Sequence, residues 1–229
     1  MGKIFKAVRS VYSRFTPESI RTSGFMARAK ELVPHELMYD AEYYVEAEEH
    51  SRKASATISE LIMADFKPRS VIDVGCGTGA LLGALRDRGC EVFGLEYAEA
   101  GLAFCRARKL NVRKFDLERE TFDVGRTFDV AVSTEVAEHL PERCADRYVD
   151  LLTGAAPKIV FTAAFPGQGG TDHVNEQPAS YWIAKFAARG FSFEEPRSQE
   201  WRRRWREADI ARWYWMNAMI FAKSDLTSR

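Results

Sequence analysis

Apolar residues fall along this chain in two alternating rhythms. Short runs at 71–74, 91–95, 112–115, 128–133 and 158–163 are rich in β-branched and aromatic residues, and the stretches between them carry apolar positions at helical intervals. Several of these runs, 71–74 above all, are apolar almost throughout rather than at every second position, the pattern of strands covered on both faces of a parallel sheet. Residues 80–85 and 98–109 read as the intervening helices. Ahead of them, 54–66 carries Ile58, Leu61, Ile62 and Phe66 on one side of a helix that Lys67-Pro68-Arg69 closes. Later, Pro178 opens a helix, Gly190 ends it, 191–194 makes a strand, and 213–221 reads as the final strand. Strand alternating with helix predicts an α/β chain built on a parallel sheet, with the polar stretch 118–127 as a loop.

The first 39 residues stand apart. Residues 1–30 hold seven Lys and Arg against the single acid Glu18, with apolar residues at helical spacing. This is a basic amphipathic helix that docks on its own domain or lies on a membrane surface or partner. The expected organisation is an N-terminal helical extension, 1–39, and a domain, 40–229. From Asp40 the chain turns acidic around Tyr43 and Tyr44.

Composition narrows the classes. With 229 residues, of which 46% are hydrophobic, the chain can bury one sizeable core. Lys and Arg number 33 and so do Asp and Glu, which leaves no overall field to attract nucleic acid or an anionic membrane; such binding needs a local patch. The four cysteines show no metal spacing and no secretory signal precedes them, so the expectation is reduced thiols in the cytoplasm. No apolar stretch reaches membrane-spanning length.

Chemistry concentrates after the first run. Gly75, Gly77 and Gly79 remove side chains where a ligand must approach the main chain, and the loop's free N–H groups and the positive end of the following helix are expected to face the same spot. Gly75, Gly77 and Ala80 also fit the spacing of dinucleotide-binding folds. Two acids separate the alternatives. Asp73 stands where a pyrophosphate would be repelled and an ammonium group welcomed, and Glu96, closing the next strand, can take both hydroxyls of a ribose. A nucleoside with a cationic amino-acid tail and no phosphates meets both demands, and S-adenosylmethionine is such a ligand.

At these residues the chain resembles the class I S-adenosylmethionine-dependent methyltransferases, whose first motif is similar to Asp73-Val74-Gly75-Cys76-Gly77-Thr78-Gly79. Further similarity lies at Glu96, at Phe115-Asp116-Leu117 and at 128–135, and Glu135-Val136-Ala137-Glu138-His139 looks most like the branch that contains the ubiquinone-biosynthesis O-methyltransferases. The resemblance implies a Rossmann-like seven-stranded sheet, mostly parallel with the last strand antiparallel, and helices on both faces. It implies a cofactor site made by Tyr43, Asp73, Gly75, Cys76, Gly77, Thr78, Gly79, Glu96, Tyr97, Asp116, Leu117, Thr134 and Glu135. A segment bearing Tyr43 or Tyr44 would fold over the cofactor as a lid, or those tyrosines merely pack on the domain.

Glu135, Glu138 and His139 are spaced to share one face of a first helical turn. With His173 from the loop after the fifth strand, they could hold a divalent metal, Mg²⁺, Mn²⁺ or Zn²⁺, or serve loop hydrogen bonds. His173, and with it His139, are the candidate catalytic residues, His173 accepting a hydroxyl proton. The expected function is O-methylation of a small molecule, such as a saccharide or natural-product intermediate. One alternative is a nucleic-acid methyltransferase using Trp201-Arg202-Arg203-Arg204-Trp205-Arg206, whose rings and guanidinium groups could stack bases and bind phosphate. A catalytically inactive cofactor-binding partner protein is another.

Overall fold

The computed structural model of the protein describes residues 39, 41–121, 125–170 and 172–224. The basic amphipathic stretch at 1–30 lies outside them. Among the described residues seven strands form one sheet in the order β3-β2-β1-β4-β5-β7-β6. They are β1 (Ser70–Val74), β2 (Glu91–Glu96), β3 (Val112–Lys114), β4 (Val130–Thr134), β5 (Lys158–Thr162), β6 (Phe191–Phe193) and β7 (Met219–Lys223). Only β7 runs antiparallel to its neighbours, as the resemblance implies. The helices among the described residues are α1 (Ala41–Phe66), α2 (Ala80–Arg86), α3 (Glu99–Ala107), α4 (Ala145–Ala155), α5 (Ala179–Ala187), α6 (Glu195–Glu207) and α7 (Arg212–Asn217).

Alternation along β1 distributes the core. Val71 faces a layer formed by α1, α2 and α6, with Ile58, Ile62, Leu82, Trp201 and Trp205. Ile72 and Val74 face the opposite layer, where Tyr148, Leu152, Trp182 and Phe186 of α4 and α5 pack around Phe161. Asp73 therefore shares the face of Val71, toward α1. Chain order reverses between β1 and β4, and in open α/β sheets a ligand crevice lies beyond the carboxyl ends of the strands at such a point.

Three readings of the pattern are corrected. Helix α1 begins at Ala41, not at 54, so the acidic stretch with its two tyrosines is part of one 26-residue helix. The run 213–221 is not one strand: α7 occupies its first half and β7 starts at Met219. The third correction concerns the Arg/Trp run, which lies on α6 with both rings turned inward. Trp201 and Trp205 are fully buried, 5.7 Å apart, and Trp201 Nε1 donates to Asp65 at 2.7 Å. Residues four apart share a helix face, so the two rings belong to the core and Arg203, between them, meets Glu200 and Glu207 at the surface. No helix among the described residues is long and apolar enough to cross a membrane.

Candidate active site

The loop leaving β1 takes a left-handed path at each of its three glycines, with φ of 78° at Gly75, 56° at Gly77 and 74° at Gly79. Side chains are excluded twice over: a Cβ at Gly75 would stand 2.5 Å from Val136 Cγ2, and one at Gly79 2.5 Å from Leu110 Cδ1. The amides of Gly75 and Cys76 both donate to the Leu95 carbonyl, and that of Gly77 donates to Glu96 Oε2 at 2.8 Å. These N–H groups are spent on β2, so this stretch of the loop offers no ready cradle for phosphate. That departs from the expectation of free amides and favours a ligand read by carboxylates.

A cavity of about 1170 Å³ opens over this loop, larger than the roughly 300–1,000 Å³ of a typical small-ligand pocket. It has room for two reactants side by side. Every predicted cofactor residue lines it except Gly79, which caps α2. Asp73 is 4% exposed, and burial, with Glu96 nearby, pushes its carboxyl up to about 7. Burial raises Glu96 as well, while hydrogen bonds from Ala98, Gly77 and Tyr44 pull it back down. Asp116 lines the adjoining wall, its Oδ1 accepting the Glu118 amide at 2.8 Å.

Tyr44 is the residue that sequence reasoning placed second to Tyr43. Its hydroxyl donates to Glu96 Oε1 at 3.1 Å, the oxygen that also accepts the Ala98 amide. Tyr43 lines the cavity with its ring edge-on to those of Tyr39 and Tyr44. The phase of α1 decides between the two tyrosines: Tyr44 precedes the fully buried Ile62 by 18 residues, five whole helical turns, so both point inward. Arg108 straps this helix to the loop, pairing with Glu48 and donating to the Thr78 carbonyl at 3.0 Å.

Across the cavity, β4 ends in a turn rather than a helix. Glu135 sits at φ 55°, a left-handed conformation that costs a non-glycine residue on the order of 1–3 kcal/mol, and Ala137–His139 forms a single 3₁₀ turn. The shared helical face expected of Glu135, Glu138 and His139 is therefore absent. The chain from β5 brings its own group in: the amides of Val174 and Asn175 donate to the Glu138 carbonyl at 2.9 and 3.0 Å, which fastens the two loops together and places His173 beside His139. Donor atoms of Glu138, His139 and His173 lie within 4.8 Å of one another, and Glu135 is not one of this group. Glu135 lines the cavity next to them, its Oε2 3.4 Å from Gln168 Nε2 and its Oε1 3.5 Å from Asn217 Nδ2.

Glu138 is costly to bury. It is fully buried, and neither carboxylate oxygen meets full hydrogen-bond geometry among the described residues, its polar neighbours being the Glu135 carboxyl and the main chain at Glu138 and Ala164. Burial and the Glu135 carboxylate hold its pKa far above the ordinary range. A buried, unsatisfied carboxyl is uncommon because it forfeits hydration without replacement; a cation between Glu138 and the two imidazoles would supply what is missing. The histidines suit that use. His139 Nδ1 lies 3.3 Å from the Asp172 carbonyl, which can only accept, and His173 Nδ1 lies 2.8 Å from Glu176 Oε1. Both contacts favour the Nδ1–H form, whose lone pair is on Nε2. Tyr39 reinforces the arrangement, its hydroxyl donating to Asp172 Oδ2 at 3.0 Å and lying 3.2 Å from His139 Nδ1.

Residues 46–149 match a methyltransferase domain family. The ubiquinone biosynthesis O-methyltransferase of Pseudomonas paraeruginosa is 28% identical over 157 residues, 66% of this chain and 64% of that protein. The chain thus aligns with just under two thirds of that relative's length. Among solved structures, a SAM-dependent methyltransferase from Archaeoglobus fulgidus superposes with a TM-score of 0.57 at 18% identity, covering 79% of this chain and 99% of that one. The magnesium protoporphyrin IX methyltransferase of Synechocystis, solved with bound SAH, gives 0.56 at 15% identity, with 94% and 97% covered.

Proposed function

We propose that this chain, which has the fold and motifs of the class I S-adenosylmethionine-dependent methyltransferases, transfers a methyl group from S-adenosylmethionine to an oxygen of a small molecule. One observation carries the donor assignment: two buried carboxylates, Asp73 and Glu96, flank a glycine loop whose first amides are already spent. S-adenosylmethionine supplies a methyl group on a positively charged sulfur. In this reading Glu96 takes the ribose hydroxyls, Asp73 the cationic amino-acid end, and Asp116 and Leu117 the adenine. The second half of the cavity takes the acceptor between Tyr39, His139, His173 and Trp213. Holding the two reactants in line and excluding water contributes most of the rate.

We assign Glu138, His139 and His173 to a divalent cation, Mg²⁺ or Mn²⁺, on the strength of a fully buried, poorly satisfied Glu138 carboxyl whose ligand atoms gather with two imidazoles. Such an ion, when bound, acidifies and positions an acceptor hydroxyl. The similarity to an O-methyltransferase of ubiquinone biosynthesis supports oxygen as the acceptor atom. Four free, buried thiols suit a reducing cytoplasm.

Nucleic acid is disfavoured by the burial of Trp201 and Trp205, which leaves the Arg/Trp run without a stacking platform. The protein is expected to pass through an immobilised RNA column at moderate salt, with no salt-dependent retention. Retention that falls steeply as salt rises would make RNA the acceptor class.

Asp73 gives the donor site a pH signature. Its carboxyl titrates near 7 in the ligand-free protein, and only the ionised form attracts a cationic tail. Affinity for S-adenosylmethionine is expected to fall about tenfold from pH 8 to pH 6. Without cofactor the sign for stability is opposite. The folded pKa exceeds the ordinary 3.8, so the contribution of Asp73 is complete below that value and is lost as pH rises toward 7. Calorimetric titration across this range checks the first, thermal unfolding the second.

A further inference from the structure

We propose that Glu176 is a positioning residue that fixes the proton of His173 on Nδ1 and so turns the Nε2 lone pair to the work of the site. The inference rests on His173 acting at the acceptor as described above. Glu176 comes from the same glycine-rich loop as the histidine it serves. Its Oε1 accepts the Gly169 amide at 2.8 Å and stands 2.8 Å from His173 Nδ1, while Oε2 accepts the Gly167 amide at 2.9 Å. The carboxylate is 5% exposed and the imidazole 11%.

Two backbone amides thus hold the carboxylate in one orientation, and a carboxylate facing a ring nitrogen stabilises the proton there. Gly170 completes the grip. A Cβ at this position would lie 2.4 Å from His173 Nε2, so the ring keeps its place because residue 170 has no side chain. The loop glycines do separate jobs: Gly167 and Gly169 aim the carboxylate, and Gly170 leaves room for the ring. Carboxylates that orient metal-binding imidazoles contribute roughly 10- to 100-fold to metal affinity.

Ring ¹⁵N correlation spectra of the full chain in EDTA test the proposal, and with only four histidines the signal of His173 is assigned by its absence in His173→Ala. His173 is expected to be protonated on Nδ1 in the unsubstituted protein. In Glu176→Met, which matches the length of the side chain but accepts no hydrogen bond, the proton is expected to move to Nε2. Glu176→Gln, which can keep an acceptor facing the ring, is expected to restore Nδ1–H at least in part. Calorimetry with Mn²⁺ alone should show Glu176→Met weaker by 10- to 100-fold, with S-adenosylmethionine affinity within about twofold. Finding Nε2–H in the unsubstituted protein, or Nδ1–H retained in Glu176→Met, overturns the proposal, the first without needing any variant to fold. If the unsubstituted protein takes up no Mn²⁺, the cation assignment falls, and the tautomer alone decides the role of Glu176.

Discussion

Replacing Glu138 by Gln is expected to slow methyl transfer by roughly 10²–10⁴-fold while S-adenosylmethionine affinity changes by less than about threefold. The carboxyl gathers with His139 and His173 on the cavity wall, and none of the three belongs to the predicted cofactor-binding set, although their neighbour Glu135 does. EDTA should produce the same loss in the unsubstituted protein, and Mg²⁺ or Mn²⁺ should reverse it there but not in Glu138→Gln. Stability should move the other way. In the metal-free protein this carboxyl is buried against the Glu135 carboxyl with poor hydrogen-bond geometry, so the neutral isostere should unfold no earlier than the parent in EDTA. A merely structural Glu138 would give lower stability and intact turnover. Full activity in EDTA with an impaired His173→Ala would instead assign His173 as a metal-free base.

Replacing Glu96 by Ala is expected to weaken S-adenosylmethionine binding by about 3 kcal/mol or more, from two ribose hydroxyls each losing a charged acceptor worth about 1.5–3 kcal/mol. The damage does not stop at the ligand. Glu96 also accepts the amides of Gly77 and Ala98 and the hydroxyl of Tyr44, so its removal loosens the glycine loop, the turn after β2 and the start of α1 together. Thermal unfolding should show a further loss of about 1–3 kcal/mol. Glu96→Gln should fall between the two, because one acceptor oxygen remains.

The sheet and the glycine-loop wall of the cavity were legible because they depend on local signals. Val71, Ile72 and Val74 announce a two-sided strand, and Gly75, Gly77 and Gly79 with Asp73 and Glu96 lie within 24 residues of one another. Tyr44 was harder to read, since the acidic residues around it interrupt the apolar periodicity that would have carried α1 back to Ala41; only its five-turn register with Ile62 marks it. The acceptor half depends on contacts between distant segments. Spacing alone put Glu135 with Glu138 and His139, as a regular helix would, but the left-handed Glu135 and the 3₁₀ turn after it break that face. His173 joins because Val174 and Asn175 bind the Glu138 carbonyl, and Glu176 matters through the ring it faces. The Arg/Trp run misled for the opposite reason: its aromatic residues are four apart, which on a helix makes them a buried pair rather than a surface ladder.

Isothermal titration of the protein with S-adenosylmethionine and, separately, with NAD⁺ tests the central assignment most directly. One S-adenosylmethionine per chain is expected, with affinity sharply reduced in Asp73→Ala and in Glu96→Ala, and no heat from NAD⁺. Binding of NAD⁺, or S-adenosylmethionine binding that both substitutions leave unchanged, would contradict it.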